Sequence, residues 1–385
     1  MRLAASLNRN TTYRGEGMIH RTFGQTGIEV SALGLGGMRF ENPSDIDGMA
    51  AVVHHAFERG VTYFDTAPSY CDGKSEHIVG EAVKQMKKSG KPFYTATKTI
   101  AGDPDTIREQ CERSIKRLNV DAIDFYHVWC LIRPEDLPER KAQGALDTFR
   151  RLKDEGLIRH ICVSTHLEYE HIAAMLDQGE GLFEGMLIGL CALNYDLRYP
   201  GVREAAQRGM AVVTMNTLGG GLLVNHPGQF EFIMREDDET LVDAAIRFNL
   251  SVPEVSVALV GCRNKADVDA AVDAVERFDP LSPEEIVKLR RKSAEANKDF
   301  CTQCGYCRDC PAGVPVVRFM ESYNVRMLEG VEACKSHLRW HWGMTDVCSL
   351  LDECTQCGQC EEACTQQLPI LARFEELRED QRPGS

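Results

Sequence analysis

From about residue 28 to 265, short β-branched or apolar runs alternate with longer segments whose apolar residues recur at helical spacing. The runs predict eight strands: Glu29–Leu35, Val61–Asp65, Phe93–Lys98, Ala122–Trp129, His160–Ser164, Met186–Leu190, Ala211–Met215 and Val257–Val260. Segments such as AAVVHHAFERG and DTIREQCERSIKRL lie between them and end near Gly or Asn, as helices do. Eight β-then-α units favour an α/β fold, a closed (β/α)8 TIM barrel, over an open doubly wound sheet. No GxGxxG follows the first strand, and GLGGM at Gly34–Met38 does not match it.

In such a barrel the chemistry sits where strands end and βα loops begin. The polar residues at those ends are Asp65, Lys98, His127, Ser164, Asn194 and Asn216. Residues 1–17 read as a flexible N-terminal arm, 18–280 as the barrel and 281–299 as a linker helix with a Ser282/Glu285 capping box. Residues 300–370 form a second, small domain, and 371–385 a polar C-terminal tail.

Net charge is −14, which argues against a nucleic-acid or anionic-membrane partner. No apolar run approaches the roughly 18 residues a membrane helix needs. The N-terminus lacks the apolar core of an export signal, so a cytoplasmic location is expected. Sixteen cysteines change the picture, because ten of them lie within 301–385. In a reducing compartment such motifs bind metal or do catalysis more often than they form disulfides.

The tail contains a repeat. Residues 301–307 read CTQCGYC and 354–360 read CTQCGQC. Each continues to a fourth cysteine, giving Cys301, Cys304, Cys307 and Cys310, then Cys354, Cys357, Cys360 and Cys364. This resembles the bacterial two-cluster ferredoxin run, a ferredoxin-like domain holding two [4Fe–4S] clusters. In the swapped pattern of that run, Cys301, Cys304, Cys307 and Cys364 hold one cluster, and Cys354, Cys357, Cys360 and Cys310 the other. Four-thiolate zinc and disulfides are the competing readings. The first motif has two residues before its fourth cysteine rather than three, and Thr365 stands where proline is usual. Cys334 and Cys348 lack ligand spacing. Cys71, Cys111, Cys130, Cys162, Cys191 and Cys262 read as small buried hydrophobes.

The barrel half resembles the aldo-keto reductases through FGQTGIEVSALGLGGMRF, GVTYFDTAPSYCDGKSEHIVGEAV, TATK, SIKRLNVDAIDFYHVW and IRHICVSTH. The tail CTQCGYCRDCPAGVPV is similar to a branch of that family with a ferredoxin-like extension. The resemblance implies hydride transfer between a nicotinamide coenzyme, NADP(H) or NAD(H), and a small carbonyl or alcohol substrate. Tyr70 would be the acid, with Lys98 and Asp65 beside it. Local chemistry agrees. A tyrosine needs lowering by about 2–3 pKa units to act near neutrality, about 3–4 kcal/mol. An ammonium about 4 Å away at an effective dielectric near 20 supplies about 4 kcal/mol.

The family histidine falls on Trp129, leaving His127 two residues earlier, either as a catalytic group one layer deeper or as a core histidine. Ser164 and Asn194 match coenzyme positions, but Leu190 replaces the usual glutamine. The loop Met215–Gly221, with Met215, Asn216, Leu218 and Gly219, matches the coenzyme-clamping loop, with Thr217 in place of proline. The cation for a ribose 2′-phosphate falls on Asp267, and the adenine-side pair on Ala270 and Ala271, leaving Arg263 or Lys265 to compensate. The clusters would carry electrons to a redox protein partner or scaffold the tail. The alternative is an iron–sulfur electron-transfer or redox-sensing protein whose barrel is a catalytically altered ligand-binding module.

Overall fold

A computed structural model describes residues 11–12, 17–235, 240–296 and 298–382. Eight parallel strands close into a barrel: β1 (Leu33–Gly36), β2 (Tyr63–Asp65), β3 (Tyr94–Thr99), β4 (Ile123–Leu131), β5 (Ile158–Thr165), β6 (Gly185–Gly189), β7 (Ala211–Met215) and β8 (Val255–Gly261). All eight expected strands form, within a few residues of their sequence bounds. The first expectation is corrected. Glu29–Leu35 is two strands, because Glu29–Ser31 pairs antiparallel with His20–Thr22 before the chain enters β1. That hairpin drives Phe23 into the barrel floor, where its ring lies 4.1 Å from Phe125.

Local sequence explains the helices. In DTIREQCERSIKRL, the Asp103 side chain accepts from the Thr106 N–H at 2.9 Å, Pro104 occupies the first turn, and Asn119 ends the helix at φ 53°. Asp45 caps Ile46–Glu58 in the same way, accepting from the Gly48 N–H. The outer faces of the strands and the inner faces of the helices form one large core. The strand interiors form a second, built from Tyr63, Ala96, Phe125, Cys162, Leu187 and their neighbours.

The linker helix spans Pro283–Ala296, and its capping box is formed: the Ser282 N–H donates to Glu285 Oε2 at 2.7 Å, and the Glu285 N–H to Ser282 Oγ at 3.2 Å. Beyond it the chain is helical, with Val316–Glu329, Val331–Trp340, Val347–Asp352, Gln359–Glu362 and Ile370–Asp380. No strand occurs among the described residues of this region. The expected polar tail at 371–385 is corrected: Ile370, Phe374 and Leu377 bury one face of the last helix in the tail's own core. The expected arm, 1–17, falls mostly outside the described residues. Thr11–Thr12 pairs with His20–Arg21.

The tail packs on the C-terminal mouth of the barrel. Arg318 pairs with Glu168 at 3.0 Å, and Arg308 with Glu170 and Tyr169. Trp342 is fully buried between the guanidiniums of Arg198 and Arg318, 4.9 and 5.1 Å from its ring. No helix among the described residues is long and apolar enough to cross a membrane.

Candidate functional site

Strand alternation points every second side chain into the barrel. Asp65 is therefore delivered to the inside at the end of β2, Lys98 near the end of β3, and His127 opposite Lys98 in register on β4. Lys98 and Asp65 are both buried. The Lys98 ammonium donates to Asp65 Oδ1 and Oδ2 at 2.6 and 2.7 Å and to the Thr66 carbonyl at 2.7 Å. These contacts engage its donor capacity and fix its direction. The ammonium stands 5.3 Å from the Tyr70 ring centroid, over its face, so the three residues converge at the mouth. Trp129 meets the Tyr70 ring edge to face at 5.7 Å.

The electrostatics correct one expectation. Tyr70 is raised well above the usual phenol range, first by burial, then by the Asp65 charge and by Cys130. The Lys98 ammonium is held by Asp65. Burial in turn lowers Lys98 and raises Asp65, and their mutual attraction opposes both shifts.

His127 lies fully buried beneath this group. Burial, then the neighbouring Lys98 charge, pushes it down to about 3, so it is neutral at physiological pH. Neither ring nitrogen has a well-formed hydrogen bond. Past Val128, β4 breaks register with β5, and Cys130 sits at φ 62°: a bulge that re-aims Trp129. Cys71 and Cys130, read as buried hydrophobes, are corrected. Both are half-buried, with left-handed backbones directly after Tyr70 and Trp129.

The remaining sequence-selected residues spread around the same mouth. Ser164 is buried near the end of β5. Asn194 Oδ1 accepts from the Cys191 N–H at 2.8 Å, holding the turn after β6. After β7, Met215 is followed by Asn216 at φ 59° and then Leu218. Gly219, Gly220 and Gly221 follow, with φ of 63°, 71° and 109°, a run only glycine adopts without strain. Arg39, unremarked in the sequence, crosses from the β1 side and donates to the Gly220 carbonyl at 2.9 Å. Arg263 is not available to compensate Asp267. Its Nε donates to Asp267 Oδ2 at 2.8 Å and its Nη2 to Oδ1 at 3.1 Å, so the two charges cancel.

In the tail, the two repeats fold alike. Gln303 and Gln356 sit at φ 53° and 56°, and Gly305 and Gly358 at 79° and 77°. Their backbone N–H groups point at sulfur: Gln303 to Cys301 and Gln356 to Cys354, each at 3.4 Å. One cavity is lined by Cys301, Cys304, Cys307 and Cys364, and a second by Cys307, Cys310, Cys354, Cys357 and Cys360.

The family model described as "Aldo/keto reductase family" matches residues 32–294, well over half the chain. The chain belongs to the aldo/keto reductase family. This aldo/keto reductase is therefore an oxidoreductase acting on carbonyl or alcohol groups. It is 24% identical over 287 residues to the L-galactose dehydrogenase of Arabidopsis thaliana, covering 68% of this chain and 89% of that one. It is 32% identical over 156 residues to a probable aldo-keto reductase 1 of Glycine max, covering 37% and 43%. Among solved structures, the holo form of an aldo-keto reductase from Bacillus halodurans superposes with TM-score 0.60 at 22% identity, covering 71% of this chain and 96% of that one. One from Klebsiella pneumoniae, in complex with NADPH, gives 0.59 at 23%, covering 70% and 93%. The family match ends before the cysteine tail of this aldo/keto reductase.

Proposed function

We propose that the protein is a nicotinamide-dependent carbonyl reductase or alcohol dehydrogenase that carries two [4Fe–4S] clusters. The observation that carries the first half is the convergence of Tyr70 with the buried Lys98–Asp65 pair at the barrel mouth. A nicotinamide bound at this mouth would supply or accept the hydride. Tyr70 holds its proton at the hydroxyl, since burial keeps the phenol neutral, and donates it to the substrate oxygen as that oxygen gains negative charge. Lys98, locked by Asp65 and Thr66, presents a fixed positive charge against the Tyr70 ring. His127 supports this layer as a neutral group, and Trp129 walls the substrate side.

Ser164, Asn194 and the Met215–Gly221 loop are the coenzyme contacts proposed, because three successive left-handed glycines let backbone approach a phosphate closely. The Arg263–Asp267 pair offers a ribose 2′-phosphate no net charge, so the site supports NAD(H) as readily as NADP(H).

The clusters are supported by donor chemistry. Among the described residues, no three cysteine sulfurs lie within 4.8 Å of one another. Four thiolates on a zinc ion would sit about 3.8 Å apart, from Zn–S bonds of about 2.3 Å. Burial, then neighbouring sulfur, pushes Cys307 up to about 12, and burial pushes Cys360 up to about 11. Such thiols become ligands when a cationic centre offsets their charge. When bound, the clusters would supply one-electron storage and a route to a redox protein partner, or would scaffold the tail.

Tyr70→Phe tests the catalytic assignment. Carbonyl turnover with either coenzyme should fall roughly 10²–10⁴-fold, the size of a lost general acid, with coenzyme affinity retained. Unchanged turnover would remove Tyr70 from the role. His127→Gln should cost less than this.

A further inference from the structure

We propose that Glu321, His337 and His341 form a binding site for one divalent transition ion of the zinc type, seated where the tail meets the barrel. Their ligating atoms all lie within 4.8 Å of one another. Glu321 comes from helix Val316–Glu329; His337 and His341 stand one turn apart at the end of Val331–Trp340. The two imidazoles stack at 4.5 Å, 11° from parallel. His166, at the end of β5, meets His341 edge to face at 4.5 Å and brings a barrel residue to the site. The cluster shares no residue with the eight cysteines and does not depend on the cluster assignment.

Two observations point to a ligand. Glu321 is 8% exposed, and its Oε2 has no hydrogen-bond partner; neither does the buried Nδ1 of His166. Leaving a carboxylate oxygen buried and unpaired is costly unless a cation meets it. In addition, the Ser322 hydroxyl lies 2.9 Å from His337 Nδ1. A partner on one ring nitrogen is the arrangement that aims the other at a metal. His337 and His341 are partly buried.

The charged surroundings select the ion. Arg198 and Arg318 both lie over the Trp342 ring, which meets His341 edge to face at 4.8 Å. Glu168 offsets Arg318, while Arg198 donates to the His166 and Leu167 carbonyls, and its Nη2 lies 3.4 Å from His341 Nε2. Two guanidiniums disfavour a hard ion held mainly by carboxylate charge. They leave an ion that bonds strongly to imidazole, with two nitrogens, one carboxylate and an open position that water or His166 completes. Such an ion would tie the tail helices to the loop after β5.

The anaerobically prepared full chain, with its iron in place, would be dialysed against zinc and analysed for both metals, and its zinc-edge X-ray absorption recorded. The expected result is one zinc per chain with a nitrogen/oxygen shell at about 2.0–2.1 Å. His337→Ala should lose that zinc with iron content unchanged. Ser322→Ala, which removes only a hydroxyl, should weaken zinc binding roughly 10–100-fold. No stoichiometric zinc, a sulfur shell at about 2.3 Å, or unchanged affinity in Ser322→Ala would each overturn the site.

Discussion

Lys98 keeps a charge inside the barrel because Asp65 accepts from it with both oxygens and the Thr66 carbonyl takes a further donor. Removing one member of a buried pair costs about 3–5 kcal/mol, since the survivor is left uncompensated. Lys98→Met should therefore destabilise the protein by that order at neutral pH. The pH dependence has a definite sign. Asp65 is already raised by burial, and losing the ammonium that opposes this shift raises it further. An acid whose folded pKa exceeds its unfolded value takes up a proton on folding, so stability falls as pH rises through that window. The deficit of Lys98→Met should thus shrink below the window, where the carboxyl is protonated. Urea midpoints of both proteins at acid and neutral pH check this; a deficit that ignores pH would refute it. Asp65 and Lys98 were legible as polar residues at strand ends, and Tyr70 as a loop residue through the family resemblance. The sign of the Tyr70 shift was not, because it is set first by burial, which only the closed barrel mouth decides.

The strands were legible as elements, since β-branched runs and helical spacing are local signals. Two features were not. The split of Glu29–Leu35 depends on pairing with His20–Thr22, and the bulge at Trp129–Cys130 on the register of β4 against β5. Helix packing shows the same dependence. Gly80 lies in Ser75–Ser89, where it meets Pro104–Leu118, and a Cβ there would stand 1.9 Å from the Arg117 carbonyl oxygen. Helix propensity favours Gly80→Ala by about 1 kcal/mol. Overpacking against backbone, which cannot rotate away, costs about 1–3 kcal/mol or more. The clash should win, and thermal unfolding of Gly80→Ala should come at a lower temperature than wild type; a rise would show that the two helices separate freely.

At the scale of the whole molecule, the barrel owns a large core, whereas the tail closes a small one around its cysteines. A core this small gains folding energy from a bound metal, which the proposed clusters would supply. Stripping iron from the protein should therefore expose the region beyond residue 300 to protease while the barrel stays resistant. A tail that remains protected without iron would show that its helices suffice. Sequence alone determined the eightfold βα rhythm and the repeated cysteine spacing, because periodicity and spacing are written within short windows. Tertiary structure alone decided that the tail is helical, that its last helix is packed, that Arg263 is consumed by Asp267, and that Glu321, His337 and His341 meet. Each of these depends on which surfaces are left to bury one another once the chain has closed, and no short window records that.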